Sequence, residues 1–303
     1  GNMGRYYFAL GQILNQDYFQ KGLDYFERAA VLAPSNVIYH NLWAQTYYIL
    51  GNYEAAIDRL KISASIDPNY SPTWLLLGDT YAAQGEVEEA LAAHTRAIGL
   101  NSGGSGDGFA GFADQSLDRR LNFYISAGQG EAIIKAIEQA GQNRPADARI
   151  PATVGRAYNL MGQTDQALES FEQARQQGDN SASVLRETAN IYFNQKNYEQ
   201  AVPLFELILE SNPTDVETHS ALAFMYAQQG RLDDAIGHNQ QVLEQLPNDY
   251  DTLKNLALLY QQQGNLQAAF EAAQQAQAVA PEAEQASWEQ FIADLEAKIA
   301  GSS

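Results

Sequence analysis

Cysteine is absent from all 303 residues, which excludes disulfides, thiolate metal ligands and cysteine nucleophiles and leaves the compartment open. No apolar run reaches the roughly 18 residues that a membrane-spanning helix needs, and no signal-peptide pattern is recognisable. Positive charge is scarce: 18 lysines and arginines face 37 aspartates and glutamates, a formal net charge of −19. Such a chain repels nucleic acid and anionic membrane, so neither is an expected partner. The deficit is concentrated at one end, where residues 182–303 carry five basic and seventeen acidic side chains. Strand-type alternation is missing throughout. Histidine is rare, with His40, His94, His219 and His238 assigned to different repeats and none three or four residues from another metal-ligand pair. No cofactor, metal site or catalytic constellation is expected. Acidic pairs such as Glu88-Glu89 and Asp233-Asp234 open helices, where the helix dipole favours negative charge.

What is present is a unit that recurs. Its clearest copy runs from Ser71 to Ser102: Ser71-Pro72-Thr73-Trp74, then Leu77-Gly78, Tyr81, Gly85, Ala90 and Ala97. Trp74, Leu77 and Tyr81 fall on one helical face, Ser71 suits an N-cap, and Pro72 suits the first turn, where no backbone N–H is required. Gly78 and Ala90 are small where two helices must approach, and Gly85 supplies the turn between them. Sliding the unit along the chain places repeat starts at Val37, Ser71, Asp114, Ala148, Ala182, Val216 and Tyr250, 34 residues apart except for one interval of 43. An earlier copy (Tyr7, Leu10-Gly11, Leu14, Gly22, Phe26, Ala29) ends at Pro34.

Trp74-x2-Leu77-Gly78-x2-Tyr81 followed by Ala90 resembles the tetratricopeptide repeat, a 34-residue helix–turn–helix. The resemblance implies an all-α, right-handed superhelical solenoid of eight repeats. It divides the chain into repeats one to three (1–102), an insertion (103–113), repeats four to eight (114–281) and an amphipathic capping helix with a tail (282–303). Trp288, Phe291, Ile292, Leu295 and Ile299 form the cap's apolar stripe.

The copies depart from the pattern at definite places. His40 stands where the second repeat wants Trp and reads as a packed aromatic substitute. Leu121 and Ile133 fill both small positions of the fourth repeat, which predicts a wider helix crossing there. Lys196 replaces a turn glycine, and Pro203 lies inside a second helix, which it should bend. The insertion holds five glycines and is expected to be a flexible loop. Its Gly106-x-Gly108-x-x-Gly111 matches a dinucleotide fingerprint in letters only, because a helix and not a strand precedes it.

In the family resembled, first helices line a concave groove through positions 2, 5, 6, 9, 12 and 13 of each repeat. Carried over, these give an apolar floor that includes Leu42, Leu75 and Leu76. Beside it lies a polar stretch with Arg119, Asn122, Arg149, Arg156, Asn159, Arg186 and Asn190. Guanidinium forks bind carboxylates and Asn pairs with peptide backbone, so the expected ligand is a protein or peptide segment with an acidic or carboxylate end. The carboxylate clamp of some family members is matched only partly: Arg186 and Asn190 are in place, but Ala221, Asp251 and Asn255 replace its other groups. The opposing expectation is that these arginines pair with groove acids such as Asp118 and Glu187. Phe109 and Phe112 of the insertion are expected to fold back into the groove and to be displaced by ligand. Fifteen of the 32 aromatics lie in residues 1–81, and Tyr6-Tyr7-Phe8 opens the first helix without a polar cap. This suggests self-association through the first repeat or a missing neighbour. The reading that results is a non-enzymatic scaffold binding a partner segment. Its rival is the soluble repeat region of a larger protein, such as a membrane glycan polymerase or a glycosyltransferase.

Overall fold

The computed structural model describes Arg5, Phe8 and residues 17–102, 106–113 and 115–301. The expectations for Tyr6, Tyr7, Leu10, Gly11, Leu14 and Asp114 lie outside these residues. Seventeen helices occur among the described residues, and fourteen of them form seven consecutive packed pairs in an all-α solenoid of helix hairpins. They fall into two compact units, 1–179 and 180–303.

In the first unit, α1 (Asp17–Leu32) is followed by the hairpins α2 (Val37–Ile49) with α3 (Tyr53–Ile66) and α4 (Ser71–Gln84) with α5 (Val87–Gly99). After an insertion come α7 (Leu117–Ser126) with α8 (Gly130–Gln142) and α9 (Arg149–Leu160) with α10 (Thr164–Gln176). Helix starts are set locally. Asn36 and Asn52 accept hydrogen bonds from the backbone N–H groups of Tyr39 and Ala55, and Ser71 and Pro72 open α4 behind Tyr70. Hairpin turns use left-handed glycines, Gly85 at φ 81° among them. Gly78 is small for a definite reason, since a Cβ there would run into the His94 ring on the facing helix. In the fourth repeat Leu121 and Ile133 are fully buried, and α7 meets α8 over fewer residues than in any other described hairpin.

The insertion differs from the expected flexible loop. Asn101–Ser102 (β1) pairs antiparallel with Gly106–Asp107 (β2), and Gly108–Phe112 forms a five-residue helix, α6. This two-residue ladder is the sole β-pairing among the described residues. Phe109 and Phe112 are completely buried in the core with Ala90, Ile98 and Leu121, and so do not sit in the groove. Burying two phenyl rings is worth roughly 2–3 kcal/mol each, which offsets part of the entropy lost in ordering a glycine-rich segment. The fingerprint glycines are explained by contact: a Cβ on Gly108 would strike the Ala97 carbonyl, and one on Gly111 would strike Leu75.

The second unit comprises α11 (Ala182–Asn194) with α12 (Tyr198–Ser211), α13 (Val216–Gln228) with α14 (Leu232–Gln245), and α15 (Tyr250–Gln263) with α16 (Leu266–Val279). A last helix, α17 (Gln285–Gly301), packs on α16. Ser181, Asp215 and Asp249 cap the three first helices through side-chain oxygens. One contiguous core runs from Leu185 to Leu295. Alanines 201, 235 and 269 are fully buried in it at the close crossings, and Trp288 seals its end. Helix α12 continues through Pro203 to Ser211, and Lys196 takes the left-handed φ of 59° that a glycine would have supplied.

Candidate partner-binding surfaces

The polar side chains assigned to the groove of the first unit act largely on each other. Arg156 on α9 grips Asp118 on α7 through Nε (2.5 Å) and a terminal nitrogen (2.8 Å). Arg149 closes on Asp147, two residues away, at 2.8 and 2.7 Å, and stands 5.7 Å from the Phe109 ring. Arg119 is 64% exposed and lies 3.9 Å from Asp79. Asn122 is exposed, while Asn159, Leu42, Leu75 and Leu76 are half-buried. Leu75 is pressed against α6, so part of the expected apolar floor is covered by the insertion.

The group that organises this region is Arg120, a residue absent from the candidate set. It is 6% exposed and binds both Asp79 oxygens, while its third nitrogen donates to the Gly111 and Phe112 carbonyls at 2.9 and 2.8 Å. On the other side of Asp79, His94 Nε2 lies 3.4 Å from Oδ1 and 3.3 Å from the Leu75 carbonyl. Both neighbours are acceptors, so Nε2 carries the proton and Nδ1 accepts from the Tyr124 hydroxyl at 2.6 Å. Burial alone would raise the Asp79 pKa, but hydrogen bonds from His94 and Arg120 outweigh it and hold the carboxyl well below its usual range. Burial, reinforced by the Asp79 charge, pushes the Tyr124 hydroxyl far up, so it stays a donor. The missed signal was register. Arg120 occupies position seven of its repeat, where Trp43, Leu77, Val154, Leu222 and Leu256 are buried.

In the second unit, Arg186 on α11 reaches Asp215 at 2.8 Å and Glu217 and Thr218 at 3.2 and 3.3 Å, tying α11 to the start of α13. Burial opposes ionisation of Asp215, yet the Thr218 bonds and Arg186 together lower its pKa. Asn190 is exposed one turn further along α11. Beyond these expected residues lies an apolar patch at the same groove-facing register. Phe224 and Leu258, both at position nine, are 48% and 46% exposed. Phe193 and Tyr198 flank Phe224 with ring centroids 5.6 and 6.3 Å away. Between α13 and α15 a cleft of ≈ 220 Å³ opens beside Phe224 and Leu258.

His219 and His238 share the seventh repeat, one on each helix of the hairpin, contrary to their assignment to different repeats. Their Nδ1 atoms are 2.8 Å apart, and His219 Nε2 donates to the Pro213 carbonyl at 2.9 Å. Burial and then His219 push the His238 pKa down, while Asp234 and Glu206 oppose them. The stacked Tyr226 ring donates to Glu206, and burial plus that bond push its pKa up to about 12. His40, 4% exposed, makes the same bond to Pro34 that His219 makes to Pro213. Among the described residues no three histidines or acids gather as metal ligands, and no helix is long and apolar enough to cross a membrane.

Models of the tetratricopeptide repeat match residues 47–97, 158–223 and 214–282, together more than half of the chain. The chain belongs to the tetratricopeptide-repeat family. Over 89 residues it is 28% identical to the heat-shock protein cognate co-chaperone sgt12 of Aspergillus fumigatus, covering 29% of this chain and 26% of that protein. Over 86 residues it is 31% identical to small glutamine-rich tetratricopeptide repeat-containing protein 2 of Saccharomyces cerevisiae, covering 28% and 25%. The chain thus spans about a quarter of the length of these curated relatives. Two solved structures share the fold. The C-terminal part of a TPR repeat-containing protein from Cytophaga hutchinsonii aligns with TM-score 0.55, 16% identity and coverage of 84% of this chain and 99% of that one. YrrB, described as a TPR protein with an unusual peptide-binding site, aligns with TM-score 0.50, 21% identity and coverage of 67% and 100%.

Proposed function

We propose that this chain is a non-enzymatic scaffold that holds a partner protein segment against the exposed faces of its first helices. The carrying observation is that Phe224 and Leu258, equivalent positions on α13 and α15, leave nearly half their surface in water although a buried place would be worth roughly 2 kcal/mol apiece. Paired apolar exposure beside unbonded amides is the composition of an interaction patch. The family membership supports the same reading, and so does a peptide site on YrrB, a protein of the same fold. The ion pairs favour reading Arg156 and Arg186 first as braces between repeats. An acidic ligand end would have to displace Asp118 and Asp215 from them. Arg119 has the least to give up, and Asn122 beside it is free to meet a backbone.

A photocrosslinking residue placed at 224, with one at 241 on the outer face of α14 as control, tests the proposal in lysate. Defined protein adducts at 224 that are missing at 241 support it. Identical adduct patterns at the two sites count against it.

A further inference from the structure

The cleft between α13 and α15 has features that specify its occupant, an inference that rests on the scaffold reading above. Its volume of ≈ 220 Å³ falls below the range of about 300–1,000 Å³ usual for small-molecule sites and suits one large side chain. Phe224 and Leu258 form its lips, and the amides of Gln228, Asn255 and Gln262, which make no hydrogen bond among the described residues, surround it. Amides of both polarities around an apolar slot suit an extended backbone, as Asn and Gln donate and accept at once.

Asn239 lines the cleft from the second helix of the hairpin and is 4% exposed. Its Nδ2 donates to the Ala235 carbonyl at 2.9 Å. Its Oδ1 meets no donor among the described residues. The acceptor opens onto the cleft, and a side chain that fills the cleft takes water away from it, so the slot favours a side chain that is apolar along its length and carries N–H or O–H at its tip. Tyr and Trp answer that description, whereas Phe and Leu leave the acceptor unmet.

The field around the cleft fixes the flanks. The second unit carries five basic against seventeen acidic residues, and Glu217 and Asp251 are exposed on the first turns of α13 and α15. Arg186 and Lys254, the basic groups on the same helix faces, are engaged by Asp215 and Glu284. Cations are therefore drawn in and anions turned away. We infer that this cleft receives a Tyr or Trp of a partner segment flanked by Lys or Arg, with Asn239 Oδ1 accepting the ring's donor. Such a ligand is opposite in charge to the acidic-ended segment suggested by the arginine count.

Selection of a random dodecapeptide display library on the full chain, with counter-selection on the Phe224→Ala chain, tests this. Tyr or Trp between Lys or Arg residues is the expected enrichment. Fluorescence anisotropy of a selected peptide should show about tenfold weaker binding to Phe224→Ala and to Leu258→Ala. Replacing its Tyr by Phe should weaken binding about fivefold to the unmodified chain but not to Asn239→Ala. Added salt should weaken it further. Acidic or purely aliphatic consensus sequences, no enrichment over the Phe224→Ala chain, or equal binding of the Tyr and Phe peptides to the unmodified chain would overturn the inference. If adducts still form at 224 with partners lacking a basic-flanked Tyr or Trp, the scaffold reading stands and this one falls.

Discussion

Arg120 on α7 holds Asp79 on α4 by two parallel hydrogen bonds of 2.9 and 2.7 Å, 41 residues apart in sequence and across the insertion. The same guanidinium donates to the last carbonyls of α6, so one side chain fastens three helices. A charge at a core position is tolerated here because every nitrogen has an acceptor.

Removing one partner should therefore be costly. Asp79→Asn is expected to lower stability by about 3–5 kcal/mol at pH 7, the usual cost of stranding a buried charge. Because the folded pKa of Asp79 lies below its unfolded value, its contribution is complete above about pH 4 and is lost as acid titrates the folded carboxyl. Urea midpoints of the two chains should differ most at neutral pH and draw together as the pH falls from about 4 toward 2. A constant gap across that window would remove Asp79 as the cause.

Gly78→Ala places a methyl group against the His94 ring. The ring cannot retreat without losing its bond to Tyr124, so a loss of about 1–3 kcal/mol is expected from overpacking. Differential scanning calorimetry would read it, and an unchanged melting temperature would show that the ring has room.

Lys196 holds a left-handed backbone at the turn between α11 and α12. Lys196→Gly should relieve that strain and raise stability by up to about 1 kcal/mol, after the extra freedom gained by the unfolded chain is subtracted. Gly85→Ala, at φ 81°, should do the reverse at the corresponding turn. Equal midpoints for Lys196→Gly and the parent would mean the strain is negligible.

The His219–His238 contact predicts acid sensitivity. His238 has a folded pKa below its unfolded value of about 6.5, so its stabilisation is present above that pH and is lost as pH falls through the folded pKa. His238→Gln should flatten the stability curve below about pH 6.5 without altering it at pH 8 by more than the packing change requires. Parallel curves for the two chains would assign the acid sensitivity elsewhere.

Helix starts at Val37, Ser71, Ala182, Val216 and Tyr250 agree with the register read from spacing alone. Caps, turn glycines and small crossing residues act within a few positions of where they stand, which makes them legible. The site was less so. Phe109 and Phe112 were placed in the groove because nothing local shows that Gly108 and Gly111 let α6 lie flat on α4 and α5. Arg156 and Arg186 carried two readings in the sequence, ligand groups or partners of groove acids; Asp118, 38 residues from Arg156, is among the acids named there, whereas Asp215, 29 residues from Arg186, is not. Arg120, Phe224 and Leu258 could have been found by the register, the first as a charge at position seven and the others at position nine. His219 and His238 are 19 residues apart, too far for a helix-face count and right for opposite sides of one hairpin.

His40, Trp74 and His219 each send a ring nitrogen to the carbonyl of the proline six residues earlier, at 2.9 Å in all three cases. In these three repeats the fourth position holds a rigid ring with an N–H at one corner, whereas Leu117, Pro151, Leu185 and Leu253 stand there in repeats four, five, six and eight. A pattern search weighted toward large aromatics discards the second and seventh repeats at that column. One that scores Trp and His as synonyms, and Phe and Tyr as mismatches, keeps them and finds the seam where one repeat is stitched to the next.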